Sequence, residues 1–211
     1  MKPIAILGGT FDPVQIGHLR VALEASEALD APVRLMPAHV PPHRPAPAAS
    51  AAQRVAMLRA ALAGQDRLQL DTRELDRSEP SYTVDTLRQM RNEFGEAQSL
   101  ILLLGADAFV GLPTWHRWRE LFELSHVVVM TRPGHDARLP VELATEIVPR
   151  RTASAAELRA LPAGKLLDLP VTPLEISASR VRALLAAGRD PRWLVPEALL
   201  ANTDLLAPYR R

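Results

Sequence analysis

Short apolar runs alternate with amphipathic stretches along the whole chain. Ile4 to Leu7 is an apolar run stopped by Gly8 and Gly9, and it reads as a buried strand. After Gly17 the period changes: Leu19, Ala22, Leu23 and Leu29 share one face of a helix. Val33 to Met36 is a second apolar run, so the first 36 residues form a strand–helix–strand unit with a parallel sheet. Ser50 caps a predicted helix through Val55, Leu58 and Leu62, ending at Gly64. Leu68 and Leu70 mark a short strand, and the polar residues 71–80 read as a surface connection. Ser81-Tyr82-Thr83 leads into a helix with Val84, Leu87 and Met90 as its stripe. Leu100 to Leu104 is the most hydrophobic run and is the expected central strand.

Residues 117–124 read as a short amphipathic helix and Val127 to Met130 as a strand closed by Thr131-Arg132-Pro133-Gly134. Residues 135–165 look irregular apart from a short helix around Glu142 to Ile147, and Leu166 to Leu169 is the last predicted strand. Ile176-Ser177-Ala178-Ser179 opens a helix ending near Gly188, and a helical section from Pro196 to Leu206 follows. Of the tryptophans, Trp118 and Trp193 read as packing residues; His126, ahead of a buried strand, reads as structural. The alternation predicts an α/β fold: a Rossmann-like, doubly wound, mainly parallel sheet with helices on both faces.

Composition narrows the chemistry. At 211 residues and 47% hydrophobic, the chain can bury a sizeable α/β core. No run approaches the roughly 20 apolar residues that span a bilayer, and no secretory leader pattern is present, so no membrane partner and a cytoplasmic location are expected. Zero cysteines remove disulfides, thiolate nucleophiles and thiolate metal sites. Lys2 and Lys165 are the only lysines, leaving few candidates for Schiff-base chemistry. The net charge of +1 gives no global footprint for nucleic acid, so any anion recognition is local.

The unusual residues fall where predicted strands end: Gly8-Gly9-Thr10, the loop Pro37 to Pro45, Gly105-Ala106-Asp107, and Arg132. In an open parallel sheet these ends bind ligands. A strand feeding a glycine turn and a helix brings backbone amides and a helix N-terminus to one spot, which favours phosphate. His18 stands at the mouth of that helix. The glycines do not follow Gly-x-Gly-x-x-Gly, and no Gly-Lys-Ser/Thr is present, so dehydrogenase and Walker-type readings fail. His39 and His43 have the spacing of a helical metal pair, but Pro41 and Pro42 exclude that geometry. No protein metal site is expected.

Gly8-Gly9-Thr10-Phe11-Asp12-Pro13 with Gly17-His18 resembles the nucleotidylyltransferase superfamily. Pro41-Pro42-His43-Arg44, Ser81-Tyr82-Thr83, Pro113-Thr114-Trp115 and Ile176-Ser177-Ala178-Ser179 extend the resemblance, in order, to the bacterial nicotinate-nucleotide adenylyltransferases, as far as Pro208-Tyr209-Arg210. The resemblance implies one nucleotidylyltransferase domain over residues 1–211 and attack of nicotinate mononucleotide on the α-phosphorus of ATP. In-line phosphoryl chemistry needs positioning and charge neutralisation more than a protein nucleophile, which suits this composition. His18 and Arg182 are the implied catalytic residues. Gly8, Gly9, Thr10, Phe11, Gln15, Gly17, Gly105, Asp107, Ile176, Ser177 and Ser179 complete the implied ATP site. Tyr82, Thr83, Asp107, Trp115, His116, Arg44 and Arg132 are implied for the second substrate, Trp115 stacking on the pyridine ring. Mg²⁺ would be carried mainly by ATP.

One position departs from the family pattern. Gln15 stands where His-x-Gly-His has its first histidine, and an amide cannot become cationic. Two other readings stay open: within the superfamily, an adenylyltransferase for another phosphorylated acceptor such as phosphopantetheine, and, because of Gln15, a weakly active nucleotide-binding protein. Self-association also stays open.

Overall fold

Strict two-residue alternation along the central strands places a hydrophobic layer on each face of one sheet. In β1 (Ile4–Gly9), Ala5 and Leu7 join one core while Ile4 and Ile6 join the other. In β4 (Leu100–Gly105), Ile101 and Leu103 face the first core, and Leu100, Leu102 and Leu104 the second. The computed structural model describes residues 2–39, 46–77, 81–131 and 138–210. Among these, β2 (Val33–Pro37), β3 (Leu68–Leu70), β5 (His126–Thr131), β6 (Arg151–Thr152) and β7 (Leu166–Pro170) complete a seven-stranded sheet, ordered β3-β2-β1-β4-β5-β7-β6. Every pairing is parallel.

The helices are α1 (Ile16–Leu29), α2 (Ala51–Leu62), α3 (Thr83–Phe94), α4 (Ala106–Val110), α5 (Leu121–Leu124), α6 (Val141–Ile147), α7 (Ala155–Ala160), α8 (Ala178–Ala186) and α9 (Glu197–Ala201). Buried residues of α1, α2, α7, α8 and α9 pack in the first core; those of α3 to α6 pack in the second. The fold is therefore the doubly wound α/β arrangement expected from the sequence. From β1 the chain builds outward through β2 and β3, then returns to lay β4 on the other side of β1. The crevice at the C-terminal ends of β1 and β4 is thus the topological switch point.

Local expectations differ in four places. Residues 71–77 are no simple surface connection, since Asp71 and Glu74 are buried. Arg73 grips Asp71 through both Nε and Nη2 at 2.8–3.0 Å and reaches Glu93 at 2.9 Å, while Arg34 adds a bond to Asp71 at 3.2 Å. Burial alone would raise the Asp71 carboxyl, but these bonds outweigh it and hold it below the usual range. Mutual neutralisation is what lets so polar a segment go inside. Residues 138–165 contain α7 and the two-residue edge strand β6, both too short to leave a periodicity. Residues 117–124 form a 3₁₀ turn at Trp118–Glu120 and then α5, because Arg117 is left-handed at φ 52°. Trp118 packs as expected, but Trp193 is 77% exposed at φ 67° and packs little.

His126, at the start of β5, is fully buried, as a structural histidine should be. Its Nε2 donates to the Leu161 carbonyl at 2.9 Å and its Nδ1 accepts the Lys165 amide at 3.1 Å, anchoring the turn that leads into β7. Burial pushes its pKa below the ordinary histidine value, opposed in part by the bond to Leu161. A histidine whose folded pKa is depressed supports folding fully above its unfolded pKa, about 6.5, and that support is lost as pH falls through the folded value. Urea midpoints should therefore drop between pH 7.5 and pH 5.5, with a shallower drop in His126→Gln; parallel slopes would show that another group titrates.

Candidate active site

The site is built around the turn that follows β1. Gly9 cannot carry a side chain, because a Cβ there would lie 2.9 Å from the Phe11 ring. Phe11 itself is left-handed at φ 51° and buried, and its ring meets the His18 ring edge-on at 5.1 Å. The next peptide, Asp12–Pro13, is cis. Gln15 then caps α1 in a reciprocal box: its side chain accepts from Gly17, and its own amide donates to His18 Nδ1 at 3.3 Å. With Nδ1 accepting, the ring proton of His18 sits on Nε2.

Beneath this turn lies a buried carboxylate. Asp12 accepts the Ala48 and Ala49 amides at 2.8 and 3.0 Å and the Tyr209 hydroxyl at 2.7 Å. Arg54, 1% exposed, donates to the carbonyls of Thr10 at 2.8 Å and His39 at 3.4 Å. Burial pushes the Arg54 guanidinium down, opposed by the nearby Asp12 charge, and burial with the Asp12 bond pushes the Tyr209 phenol up. The group joins the β1 turn, the end of β2, the entry to α2 and the C-terminal segment.

α8 is drawn to the same place. Ser177 caps it by accepting the Arg180 amide at 3.2 Å, and Gln15 Nε2 donates to the Ile176 carbonyl at 2.7 Å. Arg182 donates to the Asp12 carbonyl at 2.7 Å and to Ser179 Oγ at 3.3 Å, with the Asp12 carboxylate 3.8 Å away. The structure thus gathers Gly8, Gly9, Thr10, Phe11, Gln15, Gly17 and His18 with Ile176, Ser177, Ser179 and Arg182, though they are more than 150 positions apart in the chain. Both helix N-termini open on one spot with His18 and Arg182 beside it, an arrangement suited to a polyphosphate.

A second cluster flanks it. Ala38 donates to the Gly9 carbonyl at 3.0 Å, and the next amide, His39, donates to Ser81 Oγ at 3.3 Å. This brings the start of α3 to the end of β2. Tyr82 N-caps α3 without a side-chain bond, so the amides of Thr83 and Val84 have no acceptor within the helix. The Tyr82 and His116 rings lie 4.7 Å apart, joining this helix start to the segment that carries half-buried Trp115. Gly105 and Asp107 are exposed at the end of β4, with Gly105 paired in register with Met130 of β5. Arg44 and Arg132, with the Pro41-Pro42-His43 loop, lie outside the described residues. Among the described residues no group of three or more His, Cys, Asp or Glu is arranged to hold a metal ion.

Sequence reading overlooked Arg54 and the linking role of Asp12 with Tyr209, and weighed His39 only as a metal ligand. Arg54 had a legible signal: it shares the inward stripe of α2 with Leu58 and Leu62, where an arginine is out of place. For His39, whose Nδ1 is buried without a hydrogen-bond partner among the described residues, the sequence carried no signal of this placement.

The sequence profile of the cytidylyltransferase-like family matches residues 6–184. A probable nicotinate-nucleotide adenylyltransferase of Pseudomonas syringae pv. tomato is 49% identical over 210 residues, covering 99% of this chain and 94% of its own. One of Dechloromonas aromatica is 47% identical, covering 99% of this chain and 98% of its own. Among solved structures, Plasmodium falciparum nicotinic acid mononucleotide adenylyltransferase complexed with NaAD shares the fold at TM-score 0.71 and 17% identity, covering 99% of this chain and 96% of that one.

The Asp12 group yields a stability prediction. Asp12→Ala leaves the buried Arg54 cation uncompensated and should cost about 3–5 kcal/mol in urea denaturation. Tyr209→Phe removes one of several donors and should cost only about 1–2 kcal/mol. Equal losses would mean that the carboxylate is not the common partner.

Proposed function

This chain belongs to the cytidylyltransferase-like family, and from that premise we propose that it transfers the adenylyl group of ATP to nicotinate mononucleotide. The products are nicotinate adenine dinucleotide and pyrophosphate. The observation that carries the reading is the convergence of α1 and α8: two helix N-termini, His18 and Arg182 held together by the bonds of Gln15 to Ile176 and of Arg182 to Asp12. The names of relatives aligned along nearly the whole chain supply the acceptor.

In this reading a phosphate oxygen of the mononucleotide attacks the α-phosphorus of ATP in line, and the bond to the bridging oxygen of pyrophosphate breaks. Negative charge builds on the α-phosphate oxygens and the departing group. His18, with its proton on Nε2, donates to an α-phosphate oxygen, while Arg182 and the α8 amides balance the β- and γ-phosphates. No side chain needs to form a covalent bond. Mg²⁺ brought in with ATP would supply charge neutralisation on the phosphates, since no group of three or more His, Cys, Asp or Glu among the described residues is arranged to hold it. At the other end, Trp115 stacks on the pyridine ring, and the amides of Thr83 and His116 receive the carboxylate. Tyr82, against His116, stiffens that platform. Asp107 accepts from a ribose hydroxyl. An aromatic platform favours a pyridine acceptor over phosphopantetheine.

The test is pyrophosphate release with ATP, Mg²⁺ and nicotinate mononucleotide, run beside nicotinamide mononucleotide and phosphopantetheine. Release only with phosphopantetheine, or ATP binding without any release, would overturn the reading. His18→Ala should lower kcat by about 10²–10³, while losing the capping bond from Gln15 should cost only about 0.5–2 kcal/mol in urea denaturation, so that the variant stays folded under assay conditions. Trp115→Ala should raise KM for the mononucleotide by about three- to tenfold while KM for ATP stays put.

A further inference from the structure

Two helices that face one triphosphate must keep a fixed separation, and beside the bond of Arg182 to the Asp12 carbonyl the starts of α1 and α8 are joined by the side chain of Gln15. Gln15 Oε1 accepts the Gly17 amide of α1 at 2.9 Å, and Gln15 Nε2 donates to the Ile176 carbonyl ahead of α8 at 2.7 Å. The residue is 5% exposed, so water competes poorly for either bond. Residues 171–177 have no regular secondary structure. Their upstream ties are Val171 to the Thr131 carbonyl at 3.0 Å and Thr172 to the Glu24 carboxylate of α1 at 2.6–2.7 Å. From there to the Ser177 cap, Ile176 is where the segment meets the start of α1. Gly17 is shaped to this contact, since a Cβ there would lie 2.6 Å from Gln15 Oε1.

We propose that Gln15 is a positioning residue, an uncharged strap that sets the spacing of the α1 and α8 N-termini and, through α8, the reach of Arg182. The proposal rests on the adenylyl-transfer reading above. Position 15 then requires one acceptor and one donor on a short planar group, and no positive charge. A neutral imidazole meets that requirement with one ring nitrogen for each role. Glutamate has the same shape but no donor when ionised, and it sets a negative charge against the Ile176 oxygen. Methionine has similar length and neither strong function.

Gln15→His, Gln15→Glu and Gln15→Met are compared near pH 8, where an imidazole of ordinary pKa, about 6.5, is neutral. Gln15→His should keep kcat within about threefold of wild type. Gln15→Glu and Gln15→Met should each lose about tenfold or more in kcat/KM for ATP, with KM for the mononucleotide unmoved. Without substrate, amide hydrogen exchange at Arg180 and Val181, both bonded to Ser177, should speed up about tenfold in those two variants and stay at the wild-type rate in Gln15→His. Amides of β1 should not change in any variant. Wild-type exchange in both Gln15→Glu and Gln15→Met would overturn the strap, and so would a change in kcat of about tenfold or more in Gln15→His. A wild type that releases no pyrophosphate would instead remove the functional reading, while the exchange rates would still decide the strap.

Discussion

The constraint on which most of the site depends is the buried carboxylate of Asp12, bonded by Tyr209 and near the charges of Arg54 and Arg182. A carboxylate taken out of water must be met by donors and positive charge, or the turn holding it will not stay inside. Here the donors to the carboxylate are two amides before α2 and a phenol near the C-terminus, while a guanidinium from α8 bonds the Asp12 carbonyl and lies 3.8 Å from the carboxylate. Satisfying one buried charge therefore draws the end of β1, the start of α2, the C-terminal segment and α8 to one point. Arg54 extends the same constraint to the ends of β1 and β2 by taking the Thr10 and His39 carbonyls. The surface around His18 and Arg182 lies above a polar foundation rather than an apolar one.

That foundation explains how a chain with few lysines and no cysteine can handle phosphate chemistry. In the proposed mechanism the work falls on backbone amides, helix N-termini, one histidine in a set tautomer and one arginine. Each is of use only in register with the others. The Phe11 ring and the Gln15 amide orient His18 from two sides. Asp12 and Ser179 orient Arg182. The same logic recurs away from the site: Asp71 is buried only because Arg73 and Arg34 surround it, and His126 only because both ring nitrogens are engaged.

Gln15 shows how far residue type alone carries an argument. In the sequence it looks like a weakened phosphate ligand, a neutral amide where the family pattern has histidine. In the folded chain its acceptor is spent on Gly17 and a donor on Ile176, both backbone groups. Charge ceases to be the relevant property there; reach and the pairing of one acceptor with one donor take its place.

What the sequence determined by itself was the sheet, the two-faced core and the β1–turn–α1 unit, because these follow from local periodicity, glycine punctuation and the helix-start pattern. Its short motifs at strand ends are brought together in the fold at the turn after β1 and the start of α8. It passed over β6 and α7, which are too short to show a period, and it misread the polar stretch from residue 71 because burial there depends on partners at Arg34 and Glu93. Only the tertiary structure decided the roles of Arg54, His39 and Tyr209 and the bond of Gln15 to a residue 161 positions away. The physical reason is common to all of them: each polar group is defined by its partner, and partners distant in the chain are chosen by packing rather than by local sequence.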